Sequence, residues 1–360
     1  MKIAIVTCSP RNDYPRALSL RTAFKACPAT DVRIIRNNHR GWLRYPETML
    51  RLGKARLFDR PDAYVVTFRG YETLLIMALT LVRKPIIFDE LINFTEWMEE
   101  QGRLRPGTLP YRLFRRWYAW LVKRSRLILA DTGAHRDFSA KLNMLSIDRY
   151  RVIPVGTDET VFDTAAPYQP NEKQFTVLYY GHMLALHGLD YVLEAAIRLK
   201  DDPNIKFRLV GGKKQGRVAK ACARAAAAGA NVSHESWLPF EALPAAIADA
   251  GLTLGGPFGG TLQSRFVVTG KTCQVLACAA PVLIGANEVQ EGFVDKRNCL
   301  IVPQADAAAI AETVRWAASH RRELKTIGRN GRALYETHFS QAVVNSLVAE
   351  MVEELRDGTS

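Results

Sequence analysis

The chain has 360 residues, 48% of them apolar and 24% charged, the balance of a folded protein rather than a disordered one. Length alone favours two domains, and the Gly and Pro content excludes collagen-like and Pro-rich states. The formal net charge is +13; residues 1–165 hold 28 Lys and Arg against 17 Asp and Glu, a balance of +11. A basic first half calls for an anionic partner: phosphate, lipid headgroup, acidic sugar or nucleic acid.

Six cysteines, at 8, 27, 222, 273, 278 and 299, have no CxxC spacing and read as small apolar residues of a reduced protein. The first residues form a strand, with no signal peptide expected. The longest apolar run, Leu74–Val82, is too short to span a bilayer. The expected location is cytoplasmic, at most peripheral on the inner face of a membrane.

Strands are predicted at Lys2–Thr7, Val32–Arg36, Ala63–Phe68, Pro85–Asp89, Leu127–Asp131 and Arg151–Pro154, with helices between them such as Pro15–Ala26 and Gly70–Val82. Residues 164–173 contain two prolines and no apolar periodicity, as an interdomain linker would. The alternation then resumes. Strands are predicted at Phe175–Tyr180, Lys206–Val210, Gly251–Leu254, Pro281–Ile284 and Cys299–Val302. Helices are predicted at Gly188–Lys200, Arg217–Ala228, Pro239–Ala248, Thr269–Cys278 and Asp306–Ser319. The tail, Arg321–Arg356, reads as two helices divided near Phe339 and Ser340. Strand–helix alternation gives βαβ units and parallel sheets. The expected architecture is α/β: a Rossmann-like domain over 1–163, a linker over 164–173, a second Rossmann-like domain over 174–338, and a helix over 339–360 that could return to the first domain. Ligands of such sheets bind beyond the carboxyl ends of the strands, so two facing domains would make a cleft.

Candidate chemistry follows those strand ends. After Phe175–Tyr180 come Gly181, a six-residue loop and Gly188, which opens a helix. Free amides at a helix N-terminus attract phosphate, and glycine lets the anion approach. His182 and His187 in this loop either donate to a diphosphate or are ordinary loop residues. Lys271 is either a phosphate-binding cation or a solvated surface charge. Gly259 and Gly260 are either turn glycines or backbone donors. The first strand leads into Ser9-Pro-Arg-Asn-Asp-Tyr-Pro-Arg16, which lacks GxGxxG, so no dinucleotide fingerprint is present; Arg11 and Arg16 could meet an anionic acceptor. Asp89 ends a strand and is either a polar group at a reaction centre or a strand-end ion pair. Asp131 or Thr132 could cap a helix, and His135 either faces the site or packs.

Residues 103–126 carry eight Lys and Arg and no acid, interleaved with aromatics. At about 100° per residue, Leu113, Phe114, Trp117, Tyr118, Trp120 and Leu121 share one face and Arg112, Arg115, Arg116 and Lys123 the other. This helix either lies on an anionic bilayer, with Trp117 and Trp120 on the membrane side, or packs on its own domain. The same content fits RNA, but no nucleic-acid module is visible and no nucleic-acid partner is expected.

Several segments resemble, in order and at the same spacing, the GT-B glycosyltransferases of family 4. Val152-Ile-Pro-Val-Gly-Thr-Asp-Glu-Thr-Val-Phe162 resembles their VIPNGVD…F segment. The Gly181–Gly188 loop resembles GR…KG, Asp249–Gly256 matches ADVxL in position, Pro281-Val-Leu-Ile284 resembles GPVI, and Asn298–Pro303 resembles NGLLVP. Leu186-His187-Gly188 and Gly255-Gly-Pro-Phe-Gly259 are similar to a variant branch with LHG and LGxFG. The resemblance covers nearly the whole chain. It implies a GT-B fold and retaining transfer of a hexose from a nucleotide-diphosphate sugar; the expected acceptor is a saccharide or, from the charge of the basic helix rather than from the motifs, a lipid-linked one. It also implies no metal or other cofactor, and a place in cell-envelope or exopolysaccharide synthesis. By the same likeness the donor site comprises Gly181, His182, His187, Gly188, Phe258, Gly259, Gly260, Thr261, Arg265, Lys271, Gln274 and Glu291, with Asp89 and His135 at the reaction centre. Gln274 stands where the family has a ribose-binding glutamate, and His182 and His187 stand where many relatives have Arg and Lys. These departures keep open a non-catalytic GT-B protein that binds a pathway partner or a membrane. Nucleotide-sugar epimerases share the architecture too.

Overall fold

The computed structural model describes residues 1–8, 14–67, 70–80, 82–162, 168–289 and 291–357. The chain divides into two units, 1–154 with 341–360, and 155–340. The division falls ahead of the linker read from the sequence at 164–173, of which residues 164–167 lie outside the described segments.

Unit 1 runs β1 (Lys2–Thr7), α1 (Pro15–Ala26), β2 (Asp31–Arg36), α2 (Arg44–Lys54), β3 (Ala63–Thr67), α3 (Gly70–Leu79), β4 (Ile86–Asp89), α4 (Phe94–Glu100), α5 (Leu109–Val122), β5 (Leu127–Ala130), α6 (Gly133–Asn143) and β6 (Tyr150–Val152). A π-helical turn, Ala55–Asp59, extends α2. The strands pair in the order β2-β1-β3-β4-β5-β6, all parallel. The central strands are buried along their whole length, as a sheet covered on both faces requires. Alternate residues therefore feed two cores. Ala4, Val6, Tyr64, Val66, Ile86 and Phe88 meet α2, α3, α5 and α6. Ile3, Ile5, Val65, Ile87, Leu127 and Leu129 meet α1 and a helix from the chain's end.

Unit 2 runs α7 (Glu159–Phe162), β7 (Phe175–Tyr180), α8 (Leu189–Arg198), β8 (Ile205–Val210), α9 (Arg217–Ala227), β9 (Val232–Glu235), α10 (Leu243–Asp249), β10 (Leu252–Leu254), α11 (Gly270–Ala277), β11 (Val282–Gly285), β12 (Leu300–Val302), α12 (Ala307–Ser319) and α13 (Arg321–His338). Its strand order, β12-β11-β10-β7-β8-β9, is the Rossmann order, with the reversal between β7 and β10. Strand β9 is absent from the sequence reading. Its residues Val-Ser-His-Glu lie at a sheet edge, half-buried throughout, so the apolar run that marks an inner strand is missing. The Arg208 guanidinium donates to Glu235 across the pair at 2.7 Å. The last helix, α14 (Gln341–Asp357), packs against α1 of unit 1 through Val344, Val348, Met351, Val352 and Leu355.

At the carboxyl end of sheet 1 sits a buried ionic cluster. Arg16, in the first turn of α1, is fully enclosed. It donates through Nε to Asp89 Oδ1 and through Nη1 to the Ile153 carbonyl, both at 2.5 Å. Burial pushes the Asp89 carboxyl up, against the downward pull of Arg16. Removing the cation should strand that carboxylate in a dry interior, a loss of about 3–5 kcal/mol. Arg16→Ala is therefore expected to lower the urea midpoint sharply, while Arg16→Met with Asp89→Leu recovers most of it. Near-native stability of Arg16→Ala alone would show that the pair contributes little.

Candidate functional site

The reversal of strand order in sheet 2 places two glycine-bearing loops side by side, one after β7 and one after β10. Gly188 opens α8 in the left-handed region, at φ 67°. A Cβ there would lie 2.6 Å from the Phe258 carbonyl carbon and 2.7 Å from the Gly259 nitrogen. A Cβ on Gly259 would strike the Ala185 and Leu186 carbonyl oxygens, and the Gly259 N–H donates to the Leu186 carbonyl at 2.9 Å. The loops thus touch backbone to backbone, which only glycine allows. Gly181, at φ 112°, meets a third loop, because a Cβ on Gly211 would overlap the Gly181 carbonyl oxygen.

Beyond this contact the β10 loop is pinned by Ser264. Its hydroxyl lies within hydrogen-bond distance of the Gly259 carbonyl (2.5 Å), the Thr261 carbonyl (2.6 Å) and Gln304 Oε1 (2.8 Å). Gln304 returns a bond to the Ser264 carbonyl. Thr261 is half-buried and Gly260 exposed. Phe258 is wholly buried with its ring beside Tyr179. Its side chain belongs to the core, and only the Phe258 backbone faces the loop contact.

Lys271 occupies the first turn of α11, 8% exposed. Its Nζ is buried without a hydrogen-bond partner and lies 4.6 Å from the centre of the Tyr179 ring. Its stem passes Gly181, where a Cβ would sit 3.5 Å from Lys271 Cδ. Burial lowers the ammonium from its ordinary 10.5 to about 7. The reading of Lys271 as a solvated surface charge is thereby excluded. A buried amine without an acceptor is a costly group, and a site of this kind is where ligands are sought.

His187 is half-buried, with Nδ1 also lacking a partner. Burial first, then the nearby Lys271 and His182, hold it down to about 2. Without a counter-charge its imidazolium form is thus strongly disfavoured. His182 is exposed. Gln274, one turn after Lys271, is buried and accepts the Tyr180 hydroxyl at 2.8 Å. Arg265 is exposed and paired through its guanidinium with Glu288. Glu291 is half-buried in the β11–β12 connection, next to Gly292, which rests on Leu334 and His338. The structure thus gathers Gly181, His187, Gly188, Gly259 and Lys271 at the switch point. Arg265 and Gln274 are held by other protein groups.

Sequence reasoning missed four participants: Tyr179 and Tyr180, the strand-end rings that meet Lys271 and Gln274; Gly211, against Gly181; and Arg217, which donates to the Met183 carbonyl at 3.2 Å. The glycine pair and two lysines after β8, Gly211–Lys214, were the available signal.

In unit 1, Asp89 and His135 come together in the buried cluster. His135 Nδ1 lies 2.6 Å from Asp131 Oδ1. Burial disfavours the imidazolium, but the Asp131 carboxylate more than compensates and lifts the group to about 9. Thr132 caps α6, accepting the His135 N–H at 3.0 Å. Glu96 is buried beside them and pushed up to about 8, chiefly by burial. Arg16, expected to meet an acceptor, is instead spent on Asp89 and the Ile153 carbonyl; Arg11 lies outside the described residues. Among the described residues no group of three or more His, Cys, Asp or Glu side chains is placed to hold a metal ion.

The low affinity of Lys271 for its proton has a sign that can be measured. Its folded value lies below the unfolded one, so the fold is penalised below pH 7 and the penalty fades as pH rises toward 10.5. The slope is about 1.4 kcal/mol per pH unit. Lys271→Met should be more stable than the parent at pH 7, and the gap should close by pH 10.5. A pH-independent gap would show that Lys271 is not desolvated.

Residues 191–349 match the family described as Glycosyl transferase-like. No curated protein matches the sequence of this chain. Among solved structures, HepE from Anabaena in complex with UDP-glucose is 14% identical with a TM-score of 0.74, over 98% of this chain and 100% of that one. Sucrose-phosphate synthase from Thermosynechococcus elongatus is 13% identical with a TM-score of 0.77, over 99% and 100%. A glycosyltransferase from Rickettsia africae is 12% identical with a TM-score of 0.70, over 98% of each chain. At such identities the likeness establishes architecture: this chain has the GT-B fold, two Rossmann-like domains in series.

Proposed function

We propose that the protein is a glycosyltransferase that takes its sugar from a nucleotide-diphosphate donor bound by unit 2. The observation that carries this reading is the buried, unpartnered Lys271 ammonium beside two touching glycine loops at the switch point of a Rossmann-ordered sheet. The match of residues 191–349 to a glycosyl transferase-like family and the UDP-glucose bound to the HepE fold neighbour agree with it.

The chemistry follows from charge. Breaking the glycosidic bond leaves negative charge on the departing diphosphate, and a donor fixed in a dry site stabilises it best. Burial holds Lys271 down to about 7, so at pH 7 charged and neutral amine are both present. An arriving diphosphate supplies the missing counter-charge, so the amine takes up a proton and holds it through bond cleavage. The backbone of the Gly181–Gly188 and Phe258–Gly260 segments lets the phosphates approach closely. His187, whose charged form burial disfavours, serves as a hydrogen-bonding imidazole. Gln274, whose Oε1 accepts the Tyr180 hydroxyl, keeps its amide N–H groups for the ribose. The acceptor is assigned to the carboxyl end of sheet 1, where His135 and Asp131 hold a charged pair next to Asp89 and Glu96. Transfer of a hexose with retention and without metal, to a saccharide or lipid-linked acceptor of envelope polysaccharide synthesis, completes the proposal.

The test is titration with UDP-, GDP-, ADP- and TDP-sugars, starting with UDP-glucose, following thermal stability and release of free nucleotide. One donor should raise the melting temperature, because a ligand that binds only the folded state stabilises it, and it should be slowly hydrolysed. Lys271→Ala should weaken that donor by the roughly 1.5–3 kcal/mol of a charged hydrogen bond. Affinity should fall as pH rises above 7, with proton uptake visible by calorimetry in buffers of different ionisation enthalpy. No shift with any donor would reject the reading; a shift without turnover would favour a non-catalytic GT-B protein.

A further inference from the structure

The outer surface of unit 1 has a feature that donor chemistry does not use. Helices α2, α3 and α5 lie side by side on the same face of sheet 1, α2 touching α3 and α3 touching α5. All three run antiparallel to the parallel strands, as successive βαβ connections require. Their C-terminal ends therefore gather at the amino edge of the sheet, opposite the edge that carries Asp89 and Asp131. Arg56 links two of these ends by donating to the Thr80 carbonyl at 3.2 Å.

This layer turns apolar side chains outward. The π-helical turn after α2 exposes Leu57 and Phe58, the latter by 79%, and Leu50 stands two turns before Leu57 on the same helical face. At the end of α3, Leu79 is 68% exposed. Along α5, Leu109, Leu113, Trp117 and Trp120 form an exposed stripe, Trp120 by 52%. The helical wheel puts Leu113, Trp117 and Trp120 on one face with Phe114, Tyr118 and Leu121; the structure splits that face and turns the first three outward. The buried side of α5 is Tyr118, Ala119, Leu121 and Val122, with Phe114 in an aromatic group around Phe94. The apolar band is wider than the arc the domain covers.

The same surface is strongly basic. Lys54, Arg56, Arg83, Lys84, Arg112, Arg116, Lys123 and Arg124 are exposed, and Arg124 lies over the Trp120 ring at 5.3 Å. Glu47 and Glu72, the acidic residues of α2 and α3, are paired with Arg51 and Arg44. No acidic residue occurs from Gln101 to Ala130. Arg115, expected among the outward cations, instead braces the end of α6 by donating to the Leu142 and Lys141 carbonyls.

We propose that this three-helix face docks on an anionic lipid bilayer. Leu57, Phe58, Leu79, Trp117 and Trp120 would enter the headgroup–acyl boundary while the ring of Arg and Lys meets lipid phosphates. Tryptophan suits that boundary, and pairing of apolar burial with cations is what stable attachment to such a surface needs. Charge selects this occupant. A second copy of the chain would bring the same positive field against itself, whereas the cytoplasmic leaflet is negative. No described helix is long and apolar enough to cross a membrane, so this contact is peripheral. The proposal stands independently of the donor's identity.

Co-flotation of the full chain with vesicles at physiological salt tests it. Phosphatidylcholine vesicles containing phosphatidylglycerol should carry the protein, and phosphatidylcholine alone should carry far less. Since each cation near the surface is worth about a five-fold change in partitioning, Arg112→Glu, Arg116→Glu and Arg124→Glu together should lower binding by at least about two orders of magnitude. Leu57→Ser, Phe58→Ser, Leu79→Ser and Trp120→Ser together should lower it further, with unchanged circular dichroism and melting temperature. The proposal is overturned if the native chain stays off anionic vesicles, or if both sets of substitutions bind as the parent does. Concentration-dependent dimers abolished by the apolar set, or single-stranded RNA bound as tightly as the vesicles, would also overturn it.

Discussion

The contact on which unit 2 depends is the touch of two backbones at the point where its strand order reverses. Strands β7 and β10 are neighbours in the sheet but far apart in sequence, and the loops that leave them must diverge around whatever lies between. Here they meet at Gly188 and Gly259, close enough that either Cβ would collide with main chain. That approach fixes the N-terminus of α8, and Ser264 and Gln304 hold the Phe258–Gly260 backbone in place; the buried ammonium of Lys271 lies beside Gly181. Side chains of ordinary size at either position would push the loops apart.

Two electrostatic situations are set against each other in the chain. In unit 2, Lys271 is buried without a carboxylate and loses its hold on its proton. In unit 1, His135 is buried with one and gains hold. Burial disfavours the charged form in both. The difference is the partner: Asp131 is 2.6 Å from His135, while Lys271 has only the face of Tyr179, whose quadrupole attracts a cation less than a carboxylate does. An ammonium left incomplete in this way is ready for an anion from outside, and a histidine already satisfied is not.

The two faces of sheet 1 are also unequal. One is closed by α1 and by α14 returning from the end of the chain, which buries a continuous apolar seam. The other is covered by α2, α3, α5 and α6, which fill the inner core but keep leucine, phenylalanine and tryptophan on their outer sides, among arginines. The +11 balance of the first 165 residues is therefore not spread evenly as solvation: part of it, such as Arg16 and Arg115, is spent inside the fold, and part is displayed beside apolar groups.

Much of the architecture was legible in the sequence. Period and turn chemistry marked eleven of the twelve strands among the described residues, because inner strands of parallel sheets are continuous apolar runs bounded by glycine and proline; β9, a polar edge strand, carries no such run. The spacing of Gly181 and Gly188 announced a loop with unusual backbone demands, and Asp89 announced a polar strand end. The sequence could not say which charges are spent. That Arg16 closes on Asp89, that Lys271 is dry while Arg265 is not, that Phe258 points into the core, and that Trp117 and Trp120 face outward all depend on which elements the sheet order makes neighbours. Local periodicity reports the conformation of a segment; burial and pairing are properties of what packs against it, and only the tertiary structure decides that.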